Sequence, residues 1–195
     1  IHRDGSLKKV ITANPSQYIL PDPRTEALLL HLRAVGKKVF LLTNSEWEYT
    51  NAMMNTVLGR DEDGGDSWLD LFDLVVVEGK KPSYFDPDRS KPSKPGINEK
   101  VLRGGHLNEI EERIGCGGNE VLYVGDHIYA DLISSKKNVY WRTMLVMPEL
   151  EEELNVQSGL PGIVRQLREV DERRTGTERE VMHWKAVEAC LLGVE

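Results

Sequence analysis

In Val121-Leu122-Tyr123-Val124-Gly125-Asp126-His127-Ile128-Tyr129-Ala130-Asp131, an apolar run of strand length stops at a glycine and gives way at once to two carboxylates and a histidine. A strand over Val121 to Val124 is expected, followed by a polar turn and a helix from about Ala130 to Lys137. The same change occurs twice upstream. Val39-Phe40-Leu41-Leu42 leads into Thr43-Asn44-Ser45, and Leu74-Val75-Val76-Val77 leads into Glu78-Gly79-Lys80-Lys81-Pro82. Downstream, Trp141 to Met147 reads as a fourth strand that Pro148 ends. Fully apolar strands alternating with helical segments indicate an α/β protein on a mostly parallel sheet.

The helical segments carry start and stop signals. Asp22-Pro23 precedes Leu28, Leu29, Leu32 and Val35 at helical spacing, and Gly36 closes the segment. Ser45 and Glu48 have capping-box spacing at the head of a helix whose apolar side holds Met53, Met54, Val57 and Leu58. Asn108 to Ile114 reads as a further helix, ending in the loop Gly115, Gly117, Gly118. Arg60 to Ser67 is acidic and lacks the ligand order of a calcium loop, so a solvated loop is expected. Pro82 to Gly96 reads as too polar to enter the core. Beyond Glu149 there is no strand signal; a helical hairpin is expected, one helix from about Pro161 to Arg174 and a second opened by Thr177. The expected division is a core over residues 1–150 and a helical extension over 151–195.

Composition narrows the function. With 39% hydrophobic and 29% charged residues the chain has a globular make-up, and no apolar run nears the roughly 18 residues of a membrane span. A net charge of -7 argues against a broad nucleic-acid face. Two cysteines without metal-like spacing fit a cytosolic or organelle-matrix protein, mitochondria included, rather than a secreted one.

The three polar turns stand where an open parallel sheet binds its ligands, at the carboxyl ends of strands. Hydroxyls and N–H groups at a helix N-terminus hold phosphate oxygens, a lysine neutralises a phosphorylated group, and carboxylates hold a hard cation such as Mg²⁺. Each part alone has a simpler reading: Ser45 as a cap, Lys81 as a solvated side chain, Gly125-Asp126 as a turn. Their order at successive strand ends favours a phosphoryl-transfer site.

These segments, with Gly-Asp-His followed by an aromatic and Asp, then Trp141-Arg142-Thr143 and Pro148-Glu149-Leu150, resemble the later motifs of the haloacid dehalogenase superfamily. The nearest resemblance is to the cytosolic purine 5′-nucleotidase branch and the 5′-nucleotidase domain-containing proteins, from His2 to about Leu154. It implies a three-layer Rossmannoid parallel sheet, incomplete in this chain, with a C-terminal helical hairpin. It implies that Thr43, Asn44 and Ser45 bind phosphate and that Lys81 stabilises a phosphoenzyme. Asp126 would ligate Mg²⁺, with Asp131 behind it, and His2, Lys8 and His127 are weaker candidates for substrate contact.

Members of that family open with a strand ending in Asp-x-Asp, the first carboxylate attacking phosphorus. Here Asp61-Glu62-Asp63 and Asp86-Pro87-Asp88 lie in polar loops, and neither follows an apolar strand. The opening Ile1-His2-Arg3-Asp4-Gly5 reads as the middle of a polypeptide. The expectation is therefore a C-terminal part of a Mg²⁺-dependent hydrolase of nucleoside monophosphates, inactive alone. The missing strand would come from the same polypeptide or from a second chain, and a homo-oligomer or larger assembly is also open. Two other readings compete: a catalytically idle subunit or scaffold, and a module that binds nucleotide without turnover.

Overall fold

The computed structural model describes residues 5–58, 65–86, 88, 91–133, 135 and 140–192. It divides into two compact units, Ile1–Val146 and Met147–Glu195.

Among the described residues of the first unit there are six strands: β1 (Phe40–Leu42), β2 (Leu74–Val77), β3 (Lys94–Pro95), β4 (Val101–Arg103), β5 (Leu122–Gly125) and β6 (Arg142–Leu145). They form two sheets rather than one, a four-stranded sheet in the order β1-β2-β4-β3 and a two-stranded sheet β5-β6. The pairs β1/β2, β2/β4 and β5/β6 are parallel, and β3 runs antiparallel to β4.

Strand β2 explains the three layers. All four of its side chains are buried, and they alternate between two cores. Leu74 and Val76 join Leu42, Tyr84, Phe85, Ile110, Tyr123 and Trp141, whereas Val75 and Val77 join Trp68, Leu69, Leu71, Phe72 and Val101. Such a strand needs cover on both faces, which a continuous aliphatic run without polar alternation supplies. Backbone pairing does not join the two sheets. Rings do: Phe40 of β1 stacks on Tyr123 of β5 with centroids 6.4 Å apart and meets Trp141 edge-on at 5.7 Å.

The helices of this unit are α1 (Ser6–Ala13), α2 (Pro15–Tyr18), α3 (Pro23–Ala34), α4 (Trp47–Val57) and α5 (Leu107–Ile114). Asp22 caps α3 by accepting the Arg24 N–H, and Gly36 leaves it at φ 78°. On α5 the N-cap is His106, with Glu109 completing a capping box, and Gly115 ends the helix in the left-handed conformation.

Several sequence expectations need correcting. β1 packs on both faces, Phe40 and Leu42 on one core and Leu41 on the other, but Phe40 and Leu41 are only partly buried, β1 being the end strand of its sheet. Ser45 does not cap α4; the N-cap is Glu46, and no side chain completes a box. The stretch from Pro82 to Gly96 does enter the core, since Tyr84 and Phe85 are wholly buried in a 3₁₀ turn over Ser83–Phe85. Two aromatic residues outweigh their polar neighbours. Strands β3 and β4 were not foreseen, being short and lacking a long apolar run. A helix foreseen from Ala130 begins earlier, as a π-helix over Ile128–Ile133. Most of the acidic loop, with Asp61 and Asp63, lies outside the described residues.

The second unit holds α6 (Pro148–Ser158) and α7 (Pro161–Leu192). Pro148 starts a helix as well as ending a strand, which its fixed φ and missing N–H favour at a first-turn position. The break foreseen between Arg174 and Thr177 does not occur. Thr177 Oγ1 donates to the Arg173 carbonyl at 3.0 Å, so the hydroxyl that was read as a cap bonds back along a continuous helix.

Candidate active site

The turns after β1 and β2 are laced together at their backbones. Thr43 N–H donates to the Val76 carbonyl at 2.9 Å, Gly79 N–H to the Thr43 carbonyl at 2.9 Å, and Glu78 N–H to the Ser45 carbonyl at 2.8 Å. The approach needs Gly79: a Cβ there would stand 2.8 Å from Leu42 Cδ1 and 3.2 Å from the Thr43 carbonyl oxygen. On either side Glu78 and Lys80 adopt φ of 55° and 60°, a left-handed conformation that costs non-glycine residues of order 1–2 kcal/mol each. The lacing holds that strain in place.

Asn44 clamps the turn that carries Lys81. Its Oδ1 accepts the Lys81 N–H at 2.6 Å and its Nδ2 donates to the Lys81 carbonyl at 3.1 Å. Both atoms of the Asn44 amide are thus committed to one backbone unit. Ser45 N–H donates to Thr43 Oγ1 at 3.1 Å, placing the threonine hydroxyl at the entrance to α4.

The Lys81 side chain reaches the end of β5. Its Nζ donates to Asp131 Oδ1 at 2.8 Å and to the Tyr123 hydroxyl at 2.9 Å, while Tyr123 donates to the same Asp131 oxygen at 3.1 Å. His127 N–H holds the other oxygen, Oδ2, at 3.1 Å. Asp131 is 2% exposed, so a charge there requires these partners. Burial drives its carboxyl upward. The Lys81 hydrogen bond and charge, with the His127 N–H and Tyr123 hydroxyl, outweigh burial and hold it below the usual carboxylate range. Burial, then the Asp131 charge and hydrogen bond, raise the Tyr123 phenol, which stays a neutral donor. Gly125 makes the space: a Cβ there would be 2.6 Å from Asp131 Cβ and Oδ2.

The remaining expected residues lie as follows. Asp126 is exposed, and its carboxylate carries no hydrogen bond or ion pair among the described residues. His127 Nδ1 accepts the Ala130 N–H at 3.1 Å, so the ring caps the π-helix. Lys8 pairs with Glu46 at 2.5 Å and lies 5.1 Å from the centre of the Tyr49 ring. Its hydrogen bond to Glu46 depresses that carboxyl. His2 lies outside the described residues. Tyr123, which sequence reading placed only as a strand residue, is part of the cluster; its signal was a lone polar group two residues before the strand's terminal glycine.

Among the described residues no group of three His, Cys, Asp or Glu is arranged to hold a metal. Mg²⁺ ordinarily takes one or two carboxylates and fills its other positions with water and phosphate oxygens, and beside this strand end one exposed carboxylate is present. Asp126 is the residue that offers it.

A mixed α/β core with a parallel sheet and polar turns at the carboxyl ends of its strands is consistent with a Rossmann-like fold of the haloacid-dehalogenase kind. A family model described as "5' nucleotidase family" matches residues 1–190. A 5′-nucleotidase domain-containing protein of Dictyostelium discoideum is 32% identical over 172 residues, covering 81% of this chain and 29% of the relative. The chain belongs to the 5′ nucleotidase family. It spans less than a third of the length of that relative.

Proposed function

We propose that this chain supplies the phosphate-binding and lysine-bearing part of a Mg²⁺-dependent phosphohydrolase acting on nucleoside monophosphates. The observation that carries the proposal is the convergence of Lys81, Asp131 and Tyr123 from two separate sheets, beside the Thr43-Asn44-Ser45 turn at the head of α4. Asp131 fixes the ammonium where a transferring phosphoryl group needs positive charge. Thr43 and Ser45, with the N–H groups at the α4 N-terminus, hold its oxygens. Asn44 contributes to the phosphate loop by positioning Lys81. Asp126 would hold the Mg²⁺, which neutralises phosphate charge when bound. His127 and Lys8, with His2, are the weaker candidates for contacts to the nucleoside.

The nucleophile comes from outside these residues. The outer edge of β1 has no strand partner among the described residues, and β5-β6 is a separate ribbon. A strand between β1 and β5, from another part of the polypeptide or from a second chain, completes one parallel sheet and brings an Asp-x-Asp to Lys81. Its first carboxylate bonds to phosphorus as the phosphorus–O5′ bond breaks. The second carboxylate protonates the leaving nucleoside, and water then cleaves the aspartyl phosphate.

The test is phosphate release by the full-length polypeptide with Mg²⁺ across a panel of nucleoside monophosphates. Lys81→Met is expected to lower kcat by roughly 10² to 10³. Absence of release from every member of the panel, with the fold intact, would favour the idle-subunit reading instead.

A further inference from the structure

In α7, Ile163, Leu167, Val170, Arg174, Thr177, Val181 and Trp184 follow one another at spacings of four and three residues without a break. This is the a/d seam of a heptad repeat: Leu167, Arg174 and Val181 at a, with Ile163, Val170, Thr177 and Trp184 at d. All five apolar members are at least 47% exposed. Residues 175–177, Thr-Gly-Thr, are poor helix formers in the middle of 32 helical residues, about 48 Å of helix. A helix of this length with an exposed seam needs a partner that buries it.

We propose that α7 associates with α7 of a second copy of this chain as a parallel, in-register two-stranded coiled coil. The flanking charges identify the partner and its direction. The g positions are Gln166, Arg173 and Glu180, and the e positions are Asp171, Glu178 and Lys185. In a parallel pair, g faces e of the following heptad in the other helix. Arg173 then meets Glu178, and Glu180 meets Lys185, each pair occurring twice by symmetry, so that no like charges meet along the e and g flanks. In the antiparallel pairing that sets Leu167 on Trp184 and Val181 on Val170, Arg173 meets Glu180, but Asp171 meets Glu178 twice, carboxylate against carboxylate. Attraction at every flank selects the parallel arrangement.

Arg174 is the one charged side chain in this seam. It pairs with the e-position carboxylates of its own helix, Asp171 at 2.7 Å and Glu178 at 3.9 Å. In the parallel pair it faces Arg174 of the second copy, a like-charge contact that these carboxylates partly offset and that weakens the dimer.

Sedimentation equilibrium of the full chain tests the proposal. A dimer is expected, its dissociation constant raised roughly a hundredfold by Val170→Asp and lowered roughly tenfold by Arg174→Leu. Both positions are exposed, so neither change threatens the fold of the monomer. Direction is read from Thr177→Cys in a background carrying Cys116→Ser and Cys190→Ser. The parallel pair sets residue 177 against residue 177 and forms an interchain disulfide under mild oxidation, whereas the antiparallel pair sets it against Arg174 and does not. A chain monomeric at all concentrations overturns the proposal, as does a dimer indifferent to Val170→Asp or one that fails to cross-link.

Discussion

The bond from Lys81 to Asp131 is the residue-scale feature with the largest consequence. Lys81→Met leaves a buried carboxylate with its main counter-charge removed, and is expected to cost about 3 kcal/mol, measured as a shift in urea midpoint at pH 7. The same bond sets a pH dependence. Because the folded Asp131 titrates below its ordinary value of 3.8, its stabilisation is complete above that value and disappears as pH falls through the lower, folded one. The urea midpoint should therefore fall below about pH 4 in a way that Asp131→Asn removes. Asn44→Ala deletes two hydrogen bonds to the Lys81 backbone; it should destabilise by about 1–3 kcal/mol, measured in the same way. Sequence order placed Lys81, Asp126 and Asp131 at strand ends, since a strand's carboxyl end is visible as the place where an apolar run stops. It did not show that Asn44 would face Lys81, because a contact across 37 residues depends on how two turns close on each other.

At the scale of elements, the segment around Tyr84 and Phe85 separates composition from packing. Phe85→Ala should lower stability by about 3–5 kcal/mol, while Ile97→Ala, at a position 52% exposed just past the polar stretch, should change it by less than about 0.5 kcal/mol. Thermal melts of the two variants decide it. Strands β1, β2 and β5 were legible because each lies in an apolar run bounded by turn residues, and β6 because Pro148 marks the end of its segment. β3 and β4 were not: Lys94–Pro95 is two residues long and Val101–Arg103 three, too short for periodicity to register. The single helix α7 was read as two, because weak local propensity at Thr175, Gly176 and Thr177 looks like a boundary when nothing local reports what the rest of the helix gains by continuing.

At the scale of the whole first unit, the split sheet leaves apolar surface open. Leu122 and Val124 of β5 and Met144 of β6 are each at least 50% exposed on one face of the ribbon, opposite the buried Tyr123. Parallel strands are ordinarily covered on both faces. The chain should therefore enhance the fluorescence of an apolar dye such as ANS, and Val124→Lys with Met144→Lys should reduce that signal without lowering the thermal midpoint.

The tie between Lys81 and Asp131 spans 50 residues. A contact of that separation closes late, after the chain has lost the entropy of the intervening loop, whereas β2 and β4 pair across a shorter stretch. The order of events is reversed on opening: β5 can withdraw while β2 keeps its pairing with β1 and β4 and its core around Trp68, Leu71 and Val101. In native-state hydrogen exchange the His127 and Asp131 amides should therefore exchange through partial opening, ahead of Val75 and Val76, whose exchange should report global unfolding. In that opened population Lys81 and Asp131 are parted while β2 stays paired with β1 and β4.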